Sequence, residues 1–410
     1  MHNRVIGICI VRDRAGRDLR LGGHGEKSLS VRARARPADL VDRQEEIATC
    51  IRTVQNRERL FLIGPRRYGK TSILKAASET LQGQGAIVFR YSVEAYPTIE
   101  MLVSRLVADA TEKLAGGREK ASEKVRKFFA RLRPEVTFNV TERSWSATLG
   151  VSSGTPHEQT QLLVDGLGGV ERLAAEASVP VGIMLDEFQH LIELGGRSAE
   201  GQLRSAVQQH ASLGYIFAGS KTRMLIEMTT EASRPFYRLG ERLFVGPVPR
   251  ADFHGFLHHG FVRAGFKVGE GVLEAVLDLA EEVPYNVQML AHACWNELAL
   301  GRRGATLTTA VVRQVLEKVV RQDDPFYTQV WNLLTSAQQK ALIAVVREKG
   351  QNLHSARVLR ESGLSQPTMQ RALAALKSRD LIREEERLGQ TRLRLEDPFF
   401  GTWLALLGHT

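Results

Sequence analysis

Leu60-Phe61-Leu62-Ile63-Gly64-Pro65-Arg66-Arg67-Tyr68-Gly69-Lys70-Thr71-Ser72 decides how the rest of this 410-residue chain is read. It begins with an apolar run of strand length. After Thr71, Ser72-Ile-Leu-Lys-Ala-Ala-Ser-Glu-Thr-Leu81 has the spacing of a helix. Gly64 to Thr71 matches the phosphate-binding loop G-x-x-x-x-G-K-[ST], in the strand–loop–helix setting that this loop requires. Its glycines let successive backbone N–H groups turn inward around an anion, and the helix N-terminus adds the positive end of its dipole. The predicted cradle is Gly64, Pro65, Arg66, Arg67, Tyr68, Gly69, Lys70, Thr71 and Ser72. Within it Lys70 is expected to reach the β- and γ-phosphates of a nucleoside triphosphate, and the Thr71 hydroxyl to ligate Mg²⁺.

Triphosphate chemistry needs a second piece, a carboxylate at the end of another parallel strand. Val179-Pro-Val-Gly-Ile-Met-Leu185-Asp186-Glu187 supplies one. Val181 to Leu185 is continuously apolar, as a strand buried on both faces should be. Asp186 is expected to hold Mg²⁺ through its water shell. Glu187 is expected to polarise the attacking water by accepting the proton that the water begins to lose.

Composition sets the outer bounds. Apolar content of 43% and charged content of 25% are those of a globular protein. No apolar run approaches the roughly 20 residues of a membrane span, and Val5–Val11 is too short for a signal peptide core, so the chain reads as cytoplasmic. Cys9, Cys50 and Cys294 lie far apart and make no metal or redox spacing. The net charge of +10 sits at the two ends. Residues 1–36 hold nine Lys/Arg against three Asp/Glu, residues 335–410 hold twelve against eight, and the 298 residues between them hold 35 of each. Any attraction to nucleic acid is therefore expected at the termini.

Four parts emerge from the patterning. Residues 1–36 are a basic, loop-like segment read as flexible. Residues 37–250 alternate strand candidates (Leu60–Ile63, Ala86–Val93, Val181–Leu185, Tyr215–Ala218, Leu243–Val248) with helical stretches, which argues for a parallel sheet covered on both faces. An insertion at about 113–155 carries a charged helix, Arg118–Leu132, and an exposed hairpin, Val136–Val140 with Trp145–Val151. Residues 251–330 read as a small helical lid without an obvious strand. Residues 331–410 read as a winged helix: helices at Ser336–Arg347, Ser355–Glu361 and Gln366–Ser378, then short strands around Gly389.

The P-loop, the strand ending Leu185-Asp186-Glu187-Phe188-Gln189 and the later Phe217-Ala-Gly219-Ser220 together resemble one family, the archaeal-type AAA+ ATPases. These also occur in bacteria and are close to the STAND signalling ATPases and the origin-recognition ATPases. The likeness spans about residues 37–405. Leu40-Val41-Asp42-Arg43 resembles the family's lead-in motif, which would put Val41 beside the adenine. Ser233-Arg-Pro-Phe-Tyr237-Arg238 resembles the segment carrying an arginine finger, and Val283-Pro284-Tyr285 the lid motif that touches the nucleotide. Ser220 falls where AAA+ proteins usually place a sensor Asn, and its hydroxyl can still donate to a phosphate oxygen or orient the water. The resemblance implies an α/β fold, a parallel P-loop sheet of AAA+ type followed by a helical lid and a C-terminal winged helix. It implies ATP and Mg²⁺ as ligands, and a homo-oligomer if Arg238 works on a neighbouring subunit.

The winged helix has two readings. Gln366, Thr368, Gln370, Arg371 and Lys377 would face DNA bases, with Arg379, Arg392 and Arg394 on phosphates. Glu384-Glu385-Glu386 at the wing would repel a phosphate backbone, and winged helices also dock on proteins. The partner is thus double-stranded DNA or a protein. His254 and His258 have the spacing of two metal-binding imidazoles on a helix. Gly255 stands where a zinc-protease helix has glutamate, so they read as a solvated face. Two functions remain: an ATP-hydrolysing switch that moves the lid and winged helix, or a DNA-binding regulator gated by nucleotide with little turnover. A small-molecule kinase shares the P-loop, but the lid, the winged helix and the lack of an acceptor motif count against it.

Overall fold

In a computed structural model the chain is described over residues 41–114, 155–301, 304–387 and 390–408. Residues 7–8, 31–32, 127, 129, 132, 135–139 and 144–148 are described besides. The chain divides into two compact units, Arg36–Gly246 and Met1–Ala35 with Pro247–Thr410.

The first unit is built on five strands, β1 (Arg59–Ile63), β2 (Ile87–Ser92), β3 (Val181–Asp186), β4 (Leu213–Gly219) and β5 (Glu241–Phe244). They pair in the order β2-β3-β4-β1-β5, every pair parallel. Helix α1 (Gln44–Gln55) leads into β1; parallel neighbours need long crossovers, and helices supply them: α2 (Lys70–Gly83), α3 (Ile99–Leu114), α4 (Pro156–Ala175), α5 (Gln189–Gln209) and α6 (Thr222–Thr230). Central β3 and β4 are buried along their whole length, which is why each reads as an unbroken apolar run. Against them Phe61, Phe188, Phe217 and Phe236 form one aromatic cluster, with Phe188 edge-on to Phe236 at 5.7 Å. Thr155 starts α4 as a capping box with Glu158.

Two boundaries differ from the expectation. The apolar pattern places the fifth strand at Leu243–Val248, but it runs Glu241–Phe244. It is an edge strand whose residues are largely exposed, so it lacks an apolar run. Val245 and Val248 are buried after it ends, where Pro247 and Pro249 can donate nothing to a ladder. The hairpin pairs antiparallel as Glu135–Asn139 with Ser144–Thr148, and Ala147 packs half-buried against the core, so it is not wholly exposed. The expected charged helix lies outside the described residues save Lys127, Phe129 and Leu132, of which the last two are buried in the core.

The second unit contains helices Arg250–Arg263, Val272–Leu279, Pro284–Ala299 and Thr309–Gln322. A parallel pair, Lys267–Val268 with Thr306–Leu307, joins them; two-residue strands carry no periodicity to read. Gly7–Ile8 pairs antiparallel with Val31–Arg32, and the rest of the basic N-terminal segment lies outside the described residues. The winged helix comes next: Ser336–Arg347, Ala356–Ser362, Gln366–Ser378, then Ile382–Arg387 antiparallel to Gln390–Leu395. Ser365 caps the third helix and Pro367 sits in its first turn, as their side chains favour.

Asp397 ties this unit together. It caps helix Pro398–Leu406 by accepting from the Phe399 N–H at 3.1 Å. It also accepts from Asn286 Nδ2 at 2.9 Å and from the Tyr327 hydroxyl at 3.2 Å. Asn286 is fully buried on helix Pro284–Ala299, so one carboxylate joins the lid to the end of the winged helix. Asp397→Ala removes a cap and strands a buried amide, costs of about 1 and 1–3 kcal/mol respectively. Urea unfolding of the full chain, followed by tryptophan fluorescence, should show this unit destabilised by about 2–4 kcal/mol. Three of the four tryptophans (Trp295, Trp331 and Trp403) lie in it. An unchanged midpoint would show that Asp397 holds nothing.

Candidate functional site

The loop leaves β1 at Ile63 and enters α2 at Lys70. Gly64 passes so close to Val245 that a Cβ would lie 2.6 Å from the Val245 carbonyl oxygen. Gly69 has φ +90°, a backbone that L side chains rarely adopt. No side chain caps α2, so the first N–H groups of a 14-residue helix point into the loop. Tyr68 turns inward and is buried, whereas Arg66 and Arg67 are exposed. The buried Lys70 amine donates to the Gly64 carbonyl at 2.7 Å and the Pro65 carbonyl at 2.8 Å, inside the concavity that it helps to form.

Strands β3 and β4 end at the same edge of the sheet. Asp186, the last residue of β3, accepts from the Thr71 hydroxyl at 2.6 Å. It is 2% exposed, and burial raises its carboxyl above the ordinary aspartate value despite the Thr71 hydrogen bond. Glu187 comes next at φ +52°. Its Oε2 accepts from the Ser220 hydroxyl at 2.7 Å and from Gln189 Nε2 at 2.5 Å. Burial works to raise the Glu187 carboxyl. The hydrogen bonds from Gln189 and Ser220 and the charges of Lys70 and Arg66 outweigh it and hold the group below its usual range. Glu187 is thus ionised at neutral pH and able to accept a proton.

Thr71, Asp186, Glu187 and Ser220 are therefore brought together, with Lys70 acting on both carboxylates through its charge. Arg238 is not among them. It precedes β5, whose first residue pairs with Leu60 near the start of β1, so it lies at the edge of the sheet opposite the P-loop. Its guanidinium rests over the Tyr237 ring at 5.0 Å. Arg204 on α5 holds that turn by donating to the carbonyls of Pro235 and Tyr237 at 2.6 and 2.8 Å, and Glu200 pairs with Arg234. Val41 is half-buried ahead of α1. Beside it Arg43, to which the sequence pattern gives no role, donates to the Gly246 carbonyl at 2.6 Å and pairs with Glu46. Pro284 belongs to the other unit, buried in the first turn of its helix.

On the winged helix Lys377 of the base-reading set and the three arginines assigned to DNA phosphates already have partners. Lys377 pairs with Glu384, and Arg392 donates to Glu385 at 2.8 Å. Arg394 bridges Glu385 at 2.9 Å and Glu281 at 2.7 Å, while Arg379 donates to the Leu333 carbonyl at 2.8 Å. Gln366, Gln370 and Arg371 are exposed. His254 bonds Glu274 at 3.2 Å and stacks on His258, and no metal-binding cluster of three or more acidic, His or Cys residues occurs among the described residues.

A family model described as "Probable winged helix domain" matches residues 325–406. The chain is similar in structure to the Walker-type ATPase PABY2304 of Pyrococcus abyssi, at 18% identity and a TM-score of 0.60, covering 92% of this chain and 99% of that one. It is similar also to the Aeropyrum pernix ORC2 protein in its ADPNP–ADP complexes, at 16% identity and a TM-score of 0.53, covering 90% and 93%. No curated protein matches it in sequence. The fold is that of the AAA+ Walker-type ATPases with a C-terminal winged helix. No described helix is long and apolar enough to cross a membrane.

Burial of Asp186 gives a pH test. With its pKa raised on folding, the protein gains stability at low pH and loses it as pH rises through the folded value. Asp186→Asn keeps an acceptor for Thr71 but carries no charge. Its melting temperature should exceed that of the wild type at neutral pH, by about 2–4 °C for each kcal/mol relieved. The gap should close as pH falls toward 4, roughly the ordinary aspartate value. A gap that does not change with pH would show that the charge is not the cause.

Proposed function

We propose that this chain binds ATP with Mg²⁺, hydrolyses it, and uses the nucleotide state to bias the arrangement of its lid and winged helix. The observation that carries this reading is the meeting of the P-loop helix with the β3 carboxylates, Thr71 Oγ1 lying 2.6 Å from Asp186 Oδ2 with Glu187 next in the chain. The adenine preference is supported by the ORC2 protein of the same fold, which was solved with ADPNP and ADP.

A hydroxyl and a carboxylate are the hard oxygen donors that Mg²⁺ takes, and a buried carboxylate driven toward protonation gains from a cation beside it. Thr71 and Asp186 would hold the ion, which when bound would offset the charge of the β- and γ-phosphates. Lys70 would exchange the Gly64 and Pro65 carbonyls for phosphate oxygens. Glu187 accepts the proton of a water whose oxygen bonds to the γ-phosphorus as the bond to the β–γ bridging oxygen breaks, giving ADP and phosphate. Ser220, already on Glu187, orients that water or the γ-phosphate. Val41 would lie beside the base. Arg238, at the far edge of its own sheet, would serve a neighbouring subunit's nucleotide in a homo-oligomer.

The partner of the winged helix is, on this reading, a protein. Lys377, Arg379, Arg392 and Arg394 are all engaged within the unit, so these four are held back from displacing counterions on DNA.

Glu187→Gln should retain nucleotide binding and lose turnover by about 10²–10⁴-fold, whereas Lys70→Ala loses both. Equal loss of binding and turnover in Glu187→Gln would sink the role given to Glu187. In the same steady-state assay, wild-type activity should rise more than linearly with protein concentration, and Arg238→Ala should abolish that rise. Duplex DNA titrated at low salt should not bind. Binding with a steep salt slope that disappears on changing Arg371 and Lys377 would restore the DNA-regulator reading.

A further inference from the structure

Gln189 is fully buried at the start of α5, two residues after the carboxylate assigned to proton transfer. A carboxylate can only accept, so the amide nitrogen must be the atom that faces Glu187. From there Nε2 donates to Glu187 Oε2 at 2.5 Å and reaches the Ser220 hydroxyl at 3.3 Å. The three side chains close a triangle, because Ser220 donates to the same Oε2 at 2.7 Å. Both bonds fall on one oxygen, and among the described residues nothing bonds Oε1 of Glu187.

The surroundings are shaped for this amide. Its own Oε1 is buried with no partner, an arrangement that costs roughly 1–3 kcal/mol when an acceptor is left dry. Gly219, the last residue of β4, has no side chain where a Cβ would lie 2.3 Å from Gln189 Oε1 and 2.6 Å from Leu225 Cδ1. Phe188, between the two residues, is locked by its N–H donating to the Ala218 carbonyl at 2.8 Å and by the aromatic cluster. A residue serving packing alone would not need an amide here, since apolar atoms of that shape would avoid the unpaired oxygen. A buried polar group left half-satisfied beside a working carboxylate calls for a functional explanation.

We propose that Gln189 is the positioning residue of this site: it fixes Oε2 of Glu187 so that Oε1 is presented to the attacking water, and it links that carboxylate to Ser220. This inference rests on the ATPase reading above. The amide bonds the Glu187 carboxylate and the Ser220 hydroxyl, so it acts through those two side chains. The charged groups acting on that carboxylate are Lys70 and Arg66 from the P-loop and Asp186 from its own strand. The Gln189 hydrogen bond adds to the two cations in favouring the ionised form.

Gln189→Met keeps the length of the side chain and cannot donate. In the full-length protein it should lower kcat by about tenfold or more with KM unchanged. Gln189→Asn, which keeps a donor on a shorter arm, should lose less. The decisive measurement needs no turnover. The side-chain amides of ¹⁵N-labelled glutamine are followed by NMR, the Gln189 signal being the one missing from Gln189→Met. Ser220→Ala and Glu187→Gln should each shift that signal, because each alters one of its two partners. An unshifted Gln189 signal in both variants, or a wild-type kcat in Gln189→Met, overturns the role of Gln189. A shifted signal in a protein whose wild type hydrolyses no ATP upholds the clamp on Glu187 and overturns the ATPase reading beneath it.

Discussion

Five parallel strands impose a rule on everything else in the first unit: residues leaving the strands meet at one edge of the sheet, and residues entering them meet at the other. The P-loop leaves β1, Asp186 and Glu187 close β3, and Ser220 leaves β4, so residues up to 156 positions apart become neighbours without any local signal joining them. The same rule sends Arg238, which comes before β5, to the far edge. An antiparallel sheet of the same residues would scatter these groups. The chemistry of the site is in this sense a by-product of strand direction, and strand direction depends on crossovers that are helical and long.

Within that edge, two adjacent carboxylates are driven apart in acidity by their surroundings. Asp186 is raised by burial, which a hydroxyl partner only partly offsets. Glu187 resists the same pressure because two hydrogen bonds and two cations act on it. Pairs of titratable groups pushed in opposite directions mark a division of roles. Here the one that is costly to ionise stands beside the Thr71 hydroxyl, and the one held ionised stands beside the Ser220 hydroxyl and the Gln189 amide.

Much of this can be read from the residues. Buried central strands leave continuous apolar runs, so β3 and β4 are visible in Val181–Leu185 and Tyr215–Ala218, and the P-loop is visible because few backbones can be built without glycine at 64 and 69. The edge strand β5 is misplaced toward Val248, since an edge with one wet face has no run to follow and the buried valines just past it imitate one. Gln189 stands inside a quoted motif, yet nothing local marks it for a role. Its partner Ser220 is 31 residues away, and no spacing encodes a contact made by the sheet. The wing behaves similarly. Glu385 and Arg392 face each other in register, which a hairpin pattern can anticipate. Arg394 reaches Glu281, 113 residues back, and only the folded unit reveals that its charge is spent.

The long helix α5 is broken at Gly196, whose φ of 63° and ψ of −161° lie in a region open essentially to glycine alone. Ahead of the break stands Gln189, and beyond it stand Glu200 and Arg204, which grip the turn that carries Arg238. A straight helix is a stiff rod and passes any tilt from one end to the other. A rod with a joint does not. The two segments are therefore seated independently, the first by the contacts of Gln189 and the second by the grip of Glu200 and Arg204 on their turn.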